Sequence, residues 1–283
     1  MRILFLGDVV GPPGLERIRQ ALPGVITTES LDLVIANGEN AANGSGITPR
    51  QYRQLRAAGV DAVTLGDHIY RRMEILAALE NEDRICKPAN FPPAAPGRDF
   101  ILVPARDGTP VGVVSLLGRT FMRPVDCPFL AADRVLAEVS AHAKCIVVDV
   151  HAEATADKYL LGHHLKGRVS AVLGTHTHVP TADEHIMAGG TAYITDVGMC
   201  GPHDSILGRR IDRVLPTTID FIPSMFEVAS GDVRLNGVIL DVDPATGRAE
   251  SIRRYCFTEA ASANVTSPAT TPQIAPGATR PGP

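Results

Sequence analysis

The chain has 283 residues, 45% hydrophobic and 20% charged, which is enough to bury a sizeable core in one large domain or two small ones. A formal net charge of −4 without a basic run argues against a protein that coats nucleic acid, and no apolar segment reaches the roughly 18 residues of a membrane span. Five cysteines (Cys86, Cys127, Cys145, Cys200, Cys256), odd in number and without a C-x-x-C pair, argue against a disulfide framework or a zinc ribbon and point to a reducing cytoplasm.

In chain order, "RILFLGD" reads as a first strand ending at Asp8 rather than as a secretory leader. A helix "GLERIRQAL" follows, then the strand "LDLVIANGEN". In "TPRQYRQLRAAG", Thr48 is the expected N-cap, Pro49 the first helical residue and Gly59 the residue just past the end. "DAVTLGDH" is a third strand and "RRMEILAALEN" a helix; "PVGVVSLLGRTF" reads as another buried strand. The helix "PFLAADRVLAEVSAHAK", the strand "KCIVVDVH", the helix "TADKYLLGHHLKG" and the strand "VSAVLGTHTH" complete an α/β alternation through about residue 180, which predicts a largely parallel sheet. Beyond it lie a strand "TAYITDVG", a helix "RIDRVLPTTIDF" and a stretch from Met225 to Phe257 alternating with period two, with turns at "SGD" and "PATG". That antiparallel texture predicts part of a second sheet packed on the first. Residues 1–258 are expected to form a single domain, and the Ala, Thr, Pro and Gly-rich residues 259–283 a disordered tail.

Five of the apolar runs end in metal-binding residue types: Asp8, Glu39 with Asn40, Asp67 with His68, His151, and His176 with His178. Parallel strands deliver their carboxyl ends to one edge, so residues spread from 8 to 178 converge on a small volume. Singly, each has an ordinary reading. Gly-Asp at a strand end is a common turn, Glu39 and Asn40 suit a turn or cap, and His176 and His178, two apart and so on one face of a regular strand, equally fit a satisfied polar pair. His151 after four apolar strand positions is costly unless partnered. One metal centre accounts for all five ends together.

The blocks "GDVVG", "NGENAANGSGIT", "LGDH", "DVHAEAT", "GTHTHVPTAD" and "ITDVGMCGPHDSILG" resemble, in content and order, the YmdB-like branch of the calcineurin-like metallophosphoesterases, over about residues 1 to 257. The resemblance implies a four-layer α-β-β-α sandwich with two metal ions, iron or manganese foremost and zinc as the alternative. It implies hydrolysis of 2′,3′-cyclic and 3′,5′-cyclic nucleotides by a hydroxide activated between the metals, and self-association of the chain. Carried onto this sequence, it puts Asp8, Glu39, Asn40 and His178 around one metal, with Glu39 bridging to a second held by Asp67, His151 and His176. His68 is then the proton donor. Where the wider superfamily has Asp-x-His, this chain has Val10, and Asn40 fills the place. A departure from the family is Asp67: the usual residue is Asn, and the added charge is expected to tighten the second metal while blunting its Lewis acidity.

The alternatives on the same residues are a metal- or nucleotide-binding regulator with weak or vestigial activity, and a phosphomonoesterase. Glu153 and Thr155 are candidates for tuning His151, with helix capping the other role for Thr155. Arg119 and His203 are expected to be structural or exposed rather than phosphate-facing, and His142, His163, His164 and His185 to be solvent-exposed.

Overall fold

In the computed structural model, residues 1–258 are described; the segment 259–283, read above as a disordered tail, lies outside the described residues. The apolar runs form strands where expected: β1 (Arg2–Leu6), β3 (Leu33–Asn37), β4 (Ala62–Thr64), β7 (Pro110–Leu117), β8 (Cys145–His151), β9 (Ala171–Thr175) and β11 (Thr191–Ile194). Strands not singled out in the sequence accompany them: β2 (Asp8–Val9), β5 (Ile85–Cys86), β6 (Phe100–Pro104, itself the apolar run "FILVP"), β10 (His185–Met187) and β12 (Met199–Asp204). The period-two stretch is a hairpin of β13 (Gly231–Val242) and β14 (Ala249–Phe257).

These strands make two mixed sheets flanked by helices, as the resemblance implies. The first runs β2-β12-β13-β1-β3-β4-β5, with β14 on β13; the second runs β10-β11-β9-β8-β7-β6. The expected place of the hairpin is therefore corrected. β13 pairs antiparallel with β1, Phe5 opposite Val238, and so extends the first sheet. The second sheet is built instead from the middle of the chain, with β7, β8, β9 and β11 parallel to one another.

Alternation along β1 shows how the layers stack. Leu4 and Leu6 face one way, into a core with Ile18, Leu22, Tyr52 and Leu55 from α1 (Gly11–Thr28) and α2 (Pro49–Ala58). Ile3 and Phe5 face the other way, into the space between sheets, where they meet Val113, Val147 and Leu173. The outer face of the second sheet, with Val114, Val148 and Tyr193, packs on α4 (Pro128–Val139) and α5 (Thr155–Leu165). Three cores between four layers give an α-β-β-α sandwich, and both sheets are covered on both faces. Continuous apolar runs rather than alternating ones follow from that burial, each fully buried Leu, Ile or Phe contributing about 1.5–3 kcal/mol.

The helix signals hold at α2, where Thr48 and Gln51 close a capping box and Gly59 adopts φ 106°. Elsewhere they are offset. Helix α1 begins at Gly11 and continues through Pro23 to Thr28, and the "RRMEILAALEN" segment is a short 3-10 turn (Met73–Ile75) followed by α3 (Leu76–Asn81). The predicted α6 (Ile211–Asp220) forms, with none of its residues buried.

Candidate metal centre

The polar strand ends meet where the two sheets face each other. From the first sheet come Asp8 after β1, Glu39 and Asn40 after β3, and Asp67 and His68 after β4; from the second come His151 at the end of β8 and His176 and His178 after β9. The convergence is that of two sheet edges rather than the single edge expected. Asp8, Glu39, Asn40 and His151 are buried, while Asp67, His68, His176 and His178 keep 13–26% of their side chains exposed and so line an opening.

One set of donors is tightly clustered: ligand atoms of Glu39, Asp67, His151 and His176 all lie within 4.8 Å of one another. His151 Nε2 is 3.1 Å from Glu39 Oε1, 3.2 Å from Asp67 Oδ1 and 3.0 Å from His176 Nδ1. A second set adjoins it through Asn40, whose Nδ2 lies 3.4 Å from Asp8 Oδ1, 3.2 Å from Glu39 Oε1 and 3.3 Å from His178 Nε2. Turning that amide over would put Oδ1 among the same three groups, the orientation an oxygen ligand requires. Asn40 Oδ1 is 2.7 Å from His68 Nδ1, Glu39 Oε1 is 3.3 Å from the same nitrogen, and Asp67 Oδ2 is 3.6 Å from His68 Nε2.

The electrostatics fit a cation. Burial raises the Asp8 carboxyl, against His178 and His151, which lower it, so a carboxylate stands in a dry site with its charge incompletely offset. Burial works to raise Glu39 as well, but His151 and His68 outweigh it and hold that carboxyl well below the usual range. His151 is pushed up by Glu39, Asp67 and Asp8 in spite of burial, and His176 is lowered to about 4 by burial and by His151 beside it. For His68, burial lowers the pKa but Glu39 and Asp67 raise it further, leaving it above the ordinary histidine value. Carboxylates, an amide and imidazoles packed this closely are a donor set suited to manganese, iron or zinc rather than to soft copper.

Backbone geometry is adapted to the crowding. A Cβ on Gly66 would collide with the His151 ring and with Glu39 Oε2, so only glycine lets this chain pass the centre. His176 and His178 are not on one face of a strand, because β9 ends at Thr175 and both histidines adopt left-handed conformations, φ 89° and 64°. Each such residue costs about 1–2 kcal/mol unless its surroundings hold it. What holds it is a buried ion pair the sequence reading missed. Lys158 Nζ bonds Asp196 Oδ2 at 2.9 Å and Thr177 Oγ1 at 3.0 Å; Thr177 N and Oγ1 donate to the same Asp196 oxygen at 3.1 and 2.5 Å; and His176 N donates to Asp8 Oδ2 at 3.0 Å. Asp149 was missed too. It accepts from Asn37 and Thr64 on the first sheet (3.0 and 2.6 Å) and from Thr175 on the second (2.6 Å), and Thr175 Oγ1 is 2.8 Å from His151 Nδ1. Burial, set against those bonds, pushes the Asp149 carboxyl up to about 6. A charged residue inside an apolar run ("IVVDV", "YITDV") was the available signal.

Of the lesser candidates, Glu153 Oε2 lies 3.2 Å from His176 Nε2, so it touches a different histidine from the one expected. Thr155 is the first residue of α5 and makes no cap hydrogen bond. Arg119 is exposed, and His203 lies half-buried between Gly201 O and Asn236. His142, His163 and His185 are exposed as expected, but His164 is partly buried against Asp133 and Phe129.

The chain is similar to known proteins over nearly its whole described length. The model of the YmdB-like protein family matches residues 4–255. A Bacillus subtilis (strain 168) protein named 2′,3′-cyclic-nucleotide 2′-phosphodiesterase is 45% identical over 259 residues, covering 92% of this chain and 98% of its own. A solved structure of a hypothetical protein from Thermus thermophilus matches with TM-score 0.86 and 45% identity over 92% of this chain and 100% of its own. Another, of a novel phosphatase from Mycoplasma pneumoniae, matches with TM-score 0.85 and 30% identity over 91% and 93%.

Proposed function

This chain belongs to the YmdB-like protein family, and on that premise we propose that it is a metal-dependent phosphodiesterase acting on cyclic nucleotides, 2′,3′-cyclic and also 3′,5′-cyclic. The observation that carries the reading is the convergence of Glu39, Asp67, His151 and His176 within 4.8 Å, with His68 against the same carboxylates. Asp8, Glu39, Asn40 and His178 would hold one metal, and Asp67, His151 and His176 would hold a second bridged by Glu39. Two such cations, iron or manganese and in third place zinc, supply charge for the phosphoryl oxygens and lower the pKa of an attacking water. The chain's own residues do the rest. Glu39 holds the His68 ring at Nδ1, and Glu39 and Asp67 favour its charged form, so His68 faces the opening as a proton donor to the departing ribose oxygen.

We further take residues 1–258 as one metallophosphoesterase domain, in the cytoplasm on its cysteine usage. No helix among the described residues is long and apolar enough to cross a membrane. Self-association is supported by α6, which has no buried residue yet presents Ile211, Leu215 and Ile219 at 43–71% exposure. The test of function is direct. Metal-loaded protein is expected to release a nucleoside monophosphate from a 2′,3′-cyclic nucleotide, and His68→Ala to cut that rate by roughly 100-fold with metal content unchanged. Bound metal and nucleotide without hydrolysis under any of manganese, iron or zinc would replace the enzyme by a regulator.

A further inference from the structure

Next to the centre stands an aromatic side chain with no structural occupation. Phe121 is 89% exposed and has φ 61°, a left-handed conformation costly for a bulky residue. It sits at the third position of a turn closed by Met122 N donating to Arg119 O at 3.3 Å, where glycine or asparagine is the usual occupant. An exposed phenyl ring in a strained turn is doubly unfavourable for the free protein.

The turn is carried rigidly at the mouth of the site. Leu117, the last residue of β7, is paired with His151, and Gly118 N donates to His151 O at 3.0 Å. The backbone N–H groups of Arg119 and Thr120 are held by Asp157 Oδ2 at 2.8 and 2.9 Å, so the turn lies along residues 152–157, the segment whose Glu153 reaches His176. Met122 packs against the core between the first sheet and its helices, and Arg123 lies 5.3 Å over the Phe91 ring. Asn90 ties both ends of the loop, bonding Leu117 O at 2.8 Å and Asp126 O at 3.0 Å. The turn is therefore carried at the sheet edge where β8 delivers His151.

We infer that Phe121 is the platform on which the substrate's nucleobase stacks, a base subsite beside the phosphoryl site. This rests on the phosphodiesterase reading above and adds to it the part of the substrate that the metal donors cannot recognise. A cyclic nucleotide whose phosphorus lies among those donors carries its base one ribose away, toward the rim. A flat apolar ring there accepts any base, because every base has a π-face, and a purine offers it more area than a pyrimidine.

The experiment compares a 2′,3′-cyclic adenosine phosphate with glycerol 1,2-cyclic phosphate, the same strained diester without a base, on metal-loaded parent, Phe121→Ala and Phe121→Tyr. Phe121→Ala is expected to lower the ratio of kcat/KM for the nucleotide to that for the glycerol diester roughly tenfold, about 1.4 kcal/mol and within the range of a base–aromatic stack. The loss should appear in KM, and Phe121→Tyr should restore it. An unchanged ratio, or a loss that tyrosine does not restore, overturns the subsite. Parent protein that cleaves neither diester overturns the phosphodiesterase reading instead. The base subsite is then decided by equilibrium dialysis of adenosine monophosphate, where tighter retention by parent than by Phe121→Ala upholds it and equal retention overturns it.

Discussion

Replacing Asp67 by Asn removes one negative charge from the centre while keeping an oxygen donor in place. Asp67 Oδ1 stands 3.2 Å from His151 Nε2 and 3.5 Å from His176 Nδ1, and its Oδ2 stands 3.6 Å from His68 Nε2. Unit charges about 4 Å apart interact by about 4 kcal/mol at an effective dielectric of about 20, and a divalent cation doubles that. The side chain is 21% exposed, so water screens part of the attraction, and the amide dipole replaces another part. A net loss of about 2 kcal/mol corresponds to roughly 30-fold weaker retention of the second metal. The same charge also weakens the pull of that metal on an anionic phosphodiester. Once Asp67→Asn is saturated with metal, its kcat/KM for a cyclic nucleotide is therefore expected to exceed that of the parent severalfold. Metal titration by calorimetry, followed by turnover at saturating metal, reads both effects. Unchanged affinity together with unchanged turnover would refute the assignment of Asp67 to the metal and the electrostatic argument with it.

Lys158→Met leaves Asp196 buried without its cation beneath the two left-handed histidines. The expected cost is about 3–5 kcal/mol, seen as a fall in Tm of roughly 10 °C by scanning calorimetry; a fall of less than about 2 °C would show that the pair does not hold this turn. For self-association, Leu215→Glu combined with Ile219→Glu places charge on the exposed face of α6 and is expected to reduce the mass found by sedimentation to that of one chain. A parent already sedimenting as one chain, or a variant that keeps its assembly, would remove α6 from that role.

The five strand ends were legible because doubly covered strands read as largely apolar runs, so the carboxylates and imidazoles clustered just past them stand out, even where Asp149 interrupts β8. Their division between two sheets was not. β1 and β13 lie at opposite ends of the chain, Leu6 pairing with Gly237, and nothing in the apolar run of β1 distinguishes it from β8, which lies in the other sheet. β5 has two residues and β10 three, too few for any period to show. Local signals succeeded where the chemistry is local, as with Thr48, Pro49 and Gly59 around α2. They failed at His176 and His178, because a left-handed imidazole is held there by Lys158 and Asp196, one on α5 and one after β11. Phe121 was passed over for a related reason: an aromatic after an apolar run reads as the end of a buried strand, and only its exposure marks it.

The proposed donors are divided by chemical kind as well as by sheet. Every carboxylate and the amide (Asp8, Glu39, Asn40, Asp67) hang from the first sheet, and all three proposed histidine ligands (His151, His176, His178) hang from the second. Neither sheet alone offers a mixed oxygen and nitrogen site, so the proposed site exists only where the two sheets are packed together. High-affinity metal binding by these donors would therefore be coupled to the packing of the two sheets. A tightly bound metal would report that both sheets are in place.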